Sequence, residues 1–339
     1  MNSEVVSLEK QYEALKAENP KLRIRDAAKQ LGVSEAHLVS VNPDNIALKP
    51  DFFNFLKELA PLGKIMALTR NDDVVHERKG VYDNVTFEGP VGTAVNPDID
   101  IRLFMMAWKF GFAVNENGRR SFQFFDKAGD ATHKIYATEE TNMEVFDALV
   151  EKYKSDEPIA IEVEAWPAAP AEMPDSAIDK AAFQEEWLNM KDTHDFYGML
   201  RKYRVSREQG LRLAPEGWVK KVDNSTFRKV METAAERQVP IMVFVGNRGT
   251  IQIHTGEVTK LVDAGPWFNV LDPDFNLHLR EEAINSVYVV KKNSVDGTIT
   301  SLEVFDKNGE MLVQLFGKRK PGIPELETWR ELIKDVADF

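Results

Sequence analysis

The sequence contains no cysteine, and this absence excludes several kinds of site. Disulfide bonds, thiolate metal ligands and a cysteine nucleophile are all ruled out. The chain also lacks the common signatures GxGxxG, GxxxxGK[ST], HExxH and GxSxG, so it offers no motif for dinucleotide binding, phosphate binding, zinc proteolysis or serine hydrolysis. No apolar run approaches the roughly 18 residues that cross a bilayer. We therefore expect no stable membrane insertion.

Positive charge is scarce for a chain of 339 residues, since 43 Lys and Arg stand against 55 Asp and Glu and the net charge is −12. General binding to nucleic acid or to an anionic membrane needs a basic face. The first residues, MNSEVVSLEKQYEALKAENP, are charged and contain no apolar signal-peptide core. We expect a cytoplasmic protein that does not bind nucleic acid, and the lack of cysteine fits a reducing compartment.

One stretch of the sequence occurs twice. Ile65–Leu103 aligns with Ile241–Leu279 without a gap, at an offset of 176 residues (241 − 65). A later segment, FQFFDKAGDATHKIYA (122–137), matches LEVFDKNGEMLVQLFG (302–317). Coinciding Gly and Pro residues in the aligned stretches fix turn geometry rather than fill a core. The repeat therefore predicts a duplicated domain.

Each half of the chain predicts helices first, then short strands and a closing helix. The strands are separated by turns, and two hairpins are predicted around Asn71-Asp72-Asp73 and Asn247-Arg248-Gly249. This order predicts an α+β fold, a tandem structural repeat in which each half has N-terminal helices, a large antiparallel β-sheet and a closing helix. The predicted parts are an N-terminal repeat (1–160), a Pro/Ala-rich linker (161–180) and a C-terminal repeat (181–339).

His194 is the most informative of the six histidines. It lies in a predicted long helix, Ala181–Tyr203, whose spacing places one set of residues on a single face: Phe183, Trp187, Met190, His194 and Tyr197. A histidine in an aromatic stripe can serve as a metal or heme ligand. The pattern alone favours a hydrogen-bonded core histidine. Three other histidines lie in or beside strands with core and surface positions both open, and two resemble solvent-facing residues: His76, His254 and His278, then His37 and His133.

Two further patterns admit a functional interpretation. Basic residues cluster in the second half, where they would suit a carboxylate ligand but alone are more typical of solvated strand ends: Arg201, Lys202, Arg204, Arg207, Lys291, Lys292 and Lys318-Arg319-Lys320. Arg25–Val41 has the pattern of a DNA-reading helix-turn-helix with Gly32 in its turn. Its second helix, SEAHLVSV, carries no Arg or Lys, which favours a structural role.

Several long motifs occur in order over essentially the full chain: MKDTHDF (190–196), IMVFVGNRGTIQIHTG (241–256), LDPDFNLHL (271–279), DGTITSLEVFDKNG (296–309), QLFGKR (314–319), NPDIDIRLF (96–104), QFFDKAGD (123–130) and KIYAT (134–138). In these motifs the chain resembles the bacterial cytoplasmic hemin-degrading and heme-trafficking proteins of the HemS/ChuS type. The resemblance implies a tandem repeat on large antiparallel sheets, with heme held mainly by the C-terminal half and the N-terminal repeat forming the distal wall.

The resemblance also implies roles for individual residues. His194 matches the axial ligand of heme iron, a usual role for a neutral imidazole, and Arg102 matches an arginine over the distal face that acts in catalysis. Positions around the heme edge and its propionates correspond to Arg207, Lys292, Gln314, Phe316 and Arg319. The family often has tyrosine where this chain has Phe316, so a hydroxyl is lost there. A second, weaker heme site at His76 is a further expectation.

The function implied is binding of imported heme (iron protoporphyrin IX) in the cytoplasm and promotion of its oxidative degradation with iron release, a heme oxygenase-like monooxygenase activity. The expected partners are a heme-import ABC transporter as donor and an electron-donating reductase. One alternative is a non-enzymatic chaperone that delivers heme to a downstream heme oxygenase. A more remote alternative is a helix-turn-helix DNA-binding regulator.

Overall fold

A computed structural model describes residues 3–320 and 322–339. These residues form two compact units, each of which includes a short segment from the other sequence repeat. The first unit holds the described residues up to Arg70, with His76–Pro167 and Gly246–Gln252. The second unit holds Asn71–Val75, Ala168–Val245 and the described residues from Ile253 onward. The chain passes from one to the other between Pro167 and Ala168, within the predicted linker segment 161–180.

The first repeat contains five helices and nine strands among its described residues. The helices are α1 (Ser3–Glu18), α2 (Ile24–Leu31), α3 (Glu35–Val41), α4 (Phe52–Lys57) and α5 (Met143–Tyr153). The strands are β1 (Ile46–Ala47), β2 (Gly63–Arg70), β3 (Val74–Val81), β4 (Val85–Glu88), β5 (Val91–Val95), β6 (Asp100–Phe104), β7 (Trp108–Glu116), β8 (Arg119–Asp126) and β9 (Ala131–Thr141). Neighbouring strands run in the orders β1-β7-β8-β9-β2-β3 and β4-β5-β6.

The second repeat follows the same plan. Its helices are α6 (Lys180–Leu188), α7 (Asp195–Tyr203), α8 (Arg207–Leu213), α9 (Thr226–Glu236) and α10 (Glu327–Ala337). Its strands are β10 (Val219–Val222), β11 (Ile241–Gly246), β12 (Thr250–Gly256), β13 (Leu261–Ala264), β14 (Trp267–Leu271), β15 (Phe275–Arg280), β16 (Ser286–Ser294), β17 (Gly297–Phe305) and β18 (Met311–Gly317). The orders are β10-β16-β17-β18-β11-β12 and β13-β14-β15. The predicted α+β tandem repeat of antiparallel sheets is confirmed.

Helices cover both faces of the strands in the second repeat. On one face, Val243 and Leu315 pack in the core that includes Trp329 of α10. On the other face, Tyr288 and Val290 belong to the core formed with α6, α7 and α8. Because side chains alternate along a strand, β16 contributes to both cores, with Val287 and Val289 on the first face and Tyr288 and Val290 on the second.

The predicted long helix Ala181–Tyr203 is wrong, since the chain forms α6 and α7 with a loop between them. The loop is held by side-chain contacts to its backbone: Asp195 Oδ2 accepts from the amides of Lys191 and Asp192, and Asp192 Oδ1 accepts from the amide of His194. Asp side chains that bond nearby amides offer the backbone an alternative to the helix. The prediction failed because the apolar residues keep helical spacing in the sequence across the loop between α6 and α7.

The structure corrects the predicted position of one histidine and contains the predicted helix-turn-helix. The prediction that His133 faces solvent is wrong, because its side chain is only 1% exposed and its Nδ1 lies 3.0 Å from Thr69 Oγ1. The helix-turn-helix forms as α2 and α3, with Gly32 at φ 67° and Ser34 as the N-cap of α3. Glu35 of α3 points inward to ion pairs with Lys134 and Arg70. α3 is thus tied into the first unit through Glu35.

Candidate functional site

His194 lies at the N-terminus of α7, where its side chain is 93% exposed. Its Nδ1 is 2.6 Å from Asp192 Oδ1, and among the described residues Nε2 has no hydrogen-bond partner. The expected stripe around it does not form, because Phe183 and Trp187 are buried whereas Tyr197 is 65% exposed. His194 is therefore neither a core histidine nor part of an aromatic stripe. It is an anchored imidazole that presents one nitrogen to its surroundings.

The loop that carries His194 is fixed to strand β16 and its hairpin. The amide of Val295 donates to the carbonyl of Lys191 at 2.9 Å, and Asn293 Nδ2 donates to the carbonyl of Leu188 at 2.8 Å. The indole of Trp187 donates to the carbonyl of Lys291 at 3.2 Å. These contacts give an exposed side chain a constrained backbone.

Asp192 brings a second predicted site residue into the same neighbourhood. Hydrogen bonds from the backbone and the imidazole of His194 lower the pKa of Asp192, and the charge of Arg319 contributes in the same direction. The carboxylate therefore remains ionised at neutral pH beside the imidazole. Arg319, one of the predicted propionate contacts, is thus near enough to act electrostatically on Asp192.

Glu303 on β17 gathers three of the other predicted site residues. Its buried carboxylate accepts from Arg207 at 2.7 and 2.9 Å, from Lys292 Nζ at 2.7 Å and from Gln314 Nε2 at 2.8 Å. Phe196, in the first turn of α7, lies under the Arg207 guanidinium and the Lys292 ammonium, 5.2 and 4.4 Å from its ring centre. Because Phe196 is two residues from His194, this cluster and the imidazole belong to one end of α7.

The charges of this cluster depend on one another. Burial alone would raise the pKa of Glu303, but Arg207 and Lys292 outweigh it and hold that pKa well below its ordinary value. Burial lowers the pKa of Lys292 to about 8, although Glu303 opposes the shift. Near neutral pH the cluster therefore contains two cations and one carboxylate, and its net positive charge suits a carboxylate ligand.

A half-buried strip of the sheet lies beside the cluster. Met242, Phe244, Gln314 and Phe316 are all partly exposed on one face of β11 and β18, while the intervening Val243 and Leu315 are buried on the other. The rings of Phe244 and Phe316 meet edge to face at 5.1 Å. This strip is apolar, apart from one amide, and open enough to receive a flat apolar ligand.

The first unit contains the two remaining predicted residues. Arg102 lies on β6 opposite Thr93 and forms an ion pair with Asp100. His76 lies on β3 and is fully buried. The roles of Arg102 and His76 in a heme site remain predictions.

Three residues of this site escaped the sequence analysis: Asp192, Phe196 and Glu303. A usable signal existed for Glu303, because Ser301, Glu303 and Phe305 share one face of a strand otherwise rich in buried apolar residues. An acidic residue at such a position indicates a buried charge partner. Asp192 had a weaker signal, its position two residues before His194.

A family model described as the haemin-degrading HemS.ChuX domain matches residues 32–153 and again 204–336. The two matched ranges correspond to the two repeats.

No helix among the described residues combines the length and apolarity needed to span a membrane.

Known relatives match nearly the whole chain. The hemin transport protein HmuS of Yersinia pestis is 38% identical over 343 residues, covering 98% of this chain and 99% of the relative. The structure of apo-PhuS, a heme-binding protein from Pseudomonas aeruginosa, superposes with a TM-score of 0.95 at 47% identity and covers 99% of both chains. ChuS, an E. coli heme oxygenase, gives a TM-score of 0.89 at 34% identity, covering 98% of this chain and 99% of ChuS.

Proposed function

Because the chain belongs to the haemin-degrading HemS.ChuX family, we propose that it binds heme as its substrate and promotes oxidative degradation of that heme with release of iron. The observation that carries the proposal is the His194 imidazole. It is exposed, its Nδ1 is held by Asp192, and its Nε2 is available to a metal. A single protein imidazole suits heme iron, because the porphyrin supplies the in-plane nitrogens.

The surroundings of His194 fit the rest of a heme molecule. The strip formed by Met242, Phe244 and Phe316 offers apolar contact to a porphyrin face. Arg207, held between Glu303 and the ring of Phe196, offers a guanidinium to a propionate. Lys292 is only 3% exposed and supports the cluster through Glu303 rather than from the surface. Heme supplies the oxidative chemistry, and the chain binds and orients it.

Arg102 is the residue we propose for catalysis in addition to His194. A positive donor stabilises negative charge that develops during a reaction. Heme would reach the protein in the cytoplasm from an import transporter, and electrons would come from a reductase. We do not extend the proposal to His76, because its side chain is fully buried.

The first experiment is a hemin titration of the parent and two variants, with the absorbance of the Soret band as the readout. His194→Ala should weaken heme binding by at least about 10-fold and change the spectrum, because it removes a ligand. His278→Ala is the matched control, since that histidine is bonded to Asn269 and should leave the titration unchanged. A parent-like affinity and spectrum in His194→Ala would remove the ligand assignment.

A second experiment separates degradation from delivery of intact heme. A reductant is added to the heme complex in air, with catalase present to remove free peroxide. Loss of the Soret band together with iron release supports an enzyme. A stable Soret band, with transfer of heme to an added heme oxygenase, would support the chaperone alternative instead.

A further inference from the structure

Asp192 contacts His194 twice through one carboxylate oxygen. Asp192 Oδ1 is 2.8 Å from the backbone nitrogen of His194 and 2.6 Å from Nδ1 of its ring. One carboxylate oxygen thus fixes both the backbone position of His194 and the rotation of its imidazole ring. No other described carboxylate contacts this ring.

The chemistry of the pair assigns the proton. An ionised carboxylate only accepts hydrogen bonds, so Nδ1 must be the protonated nitrogen, and in the neutral ring Nε2 carries the lone pair. Histidines that bind metals commonly donate their other ring N–H to a carboxylate, which fixes the tautomer and raises the basicity of the ligand. The contact is therefore already present in the chain without a metal.

Asp192 is itself held in place. Its backbone amide donates to Asp195 Oδ2 at 3.0 Å, and its carbonyl accepts from the amide of Asp195 at 3.0 Å. Asp195 Oδ2 also accepts from the amide of Lys191. The two carboxylates therefore have different roles. Asp195 holds the backbone of the loop, and Asp192 holds the imidazole.

We infer that Asp192 is a positioning residue for His194, which holds Nε2 ready for heme iron and strengthens its electron donation to the metal. The inference rests on the proposed heme binding. It implies that Asp192 shifts the balance between ferric and ferrous heme, because a more basic histidine ligand stabilises the ferric form.

The test compares Asp192→Asn with Asp195→Asn. Asp192 lies in the loop and Asp195 begins α7 directly after it. Both substitutions remove one negative charge, and an Asn oxygen still accepts amide hydrogen bonds. Only Asp192→Asn removes the charge that faces the imidazole. We expect it to lower the Fe–His stretching frequency in resonance Raman spectra of ferrous heme. The preference for ferric over ferrous heme should fall by about 10-fold, a potential roughly 59 mV more positive for one electron. Asp195→Asn should leave both readouts at parent values.

A measurement on the heme-free protein tests the same contact independently. ¹⁵N NMR of the ring nitrogens should show the Nδ1–H tautomer in the parent, and a rise of the Nε2–H tautomer in Asp192→Ala. If heme binds through His194 but Asp192→Asn matches the parent in frequency and potential, the positioning role is overturned. If no heme binds, the proposed function fails instead; an unchanged tautomer in Asp192→Ala would then overturn the Asp192 role as well.

Discussion

Arg207 and Glu303 form a bidentate ion pair, with guanidinium nitrogens 2.7 and 2.9 Å from the two carboxylate oxygens. Glu303 is fully buried, and Lys292 shares one of its oxygens. Glu303→Gln removes the shared partner and leaves the buried Lys292 ammonium without its counter-charge. We expect the free energy of unfolding of the heme-free protein to fall by roughly 3–5 kcal/mol. Urea titration measures this. The control is Glu327→Gln, whose partner contact to Arg330 is long and exposed, and a loss of equal size there would contradict the prediction.

Burial of His133 should make the first unit sensitive to acid. Burial lowers the pKa of His133 to about 3, from a usual value of 6.5. Between these values the unfolded chain binds a proton that the folded chain does not, so this stabilisation is complete above pH 6.5 and is lost as the pH falls. From pH 6.5 to 5.5 the parent should lose about 1 kcal/mol more unfolding free energy than His133→Asn.

Thr69→Val is the control for that experiment. It removes the hydroxyl that contacts His133 Nδ1 but leaves the titrating ring in place. Its unfolding free energy should be lower at every pH, with the slope of the parent. A parent-like slope in His133→Asn would show that His133 does not cause the acid sensitivity.

The position of Phe316 should tolerate an added hydroxyl, and this hydroxyl should raise the affinity of the protein for hemin. The Phe316 ring is half-buried and packs edge to face on Phe244. Phe316 lies two residues along β18 from Gln314. In Phe316→Tyr the hydroxyl can donate to a heme propionate, and a hydrogen bond of about 1 kcal/mol lowers the Kd for hemin roughly 5-fold. Phe244→Tyr adds the same group on the neighbouring strand and serves as the comparison. Equal affinities in parent and Phe316→Tyr would place the propionates elsewhere.

Arg102→Ala should separate binding from turnover. If the guanidinium stabilises charge that develops during the reaction, hemin affinity stays within about 3-fold while the rate of Soret loss with catalase present falls roughly 100-fold. Arg78→Ala removes another ion-paired strand arginine of the first unit and should keep the parent rate. A parent-like rate in Arg102→Ala would exclude Arg102 from the mechanism.

The repeat and the α+β order were predictable because Gly and Pro mark turns that do not depend on packing. Gly89 and Gly265 both have positive φ at equivalent turns, 56° and 59°. The break between α6 and α7 was not predictable from hydrophobic spacing, because Met190 is buried although it lies in the loop. The competition came from the carboxylates of Asp192 and Asp195, which periodicity ignores.

The site was predictable only in part, and for a related reason. Resemblance pointed to the residues that would touch a ligand, such as His194 and Arg207. The residues that hold them, Asp192 and Glu303, act through hydrogen bonds whose geometry exists only in the folded chain. His133 was misjudged because its strand is covered on both faces, which alternation along one strand does not reveal.

The exchanged segments Asn71–Val75 and Gly246–Gln252 imply that the sequence repeats and the compact structural units have different boundaries. Asn71 Nδ2 donates to the carbonyl of Leu312 in the second unit, and Asn247 Nδ2 donates to that of Thr132 in the first. A fragment cut at Pro167 would leave each repeat without a hydrogen-bonding segment that its unit requires. Recombination that replaced one repeat alone would therefore alter both units.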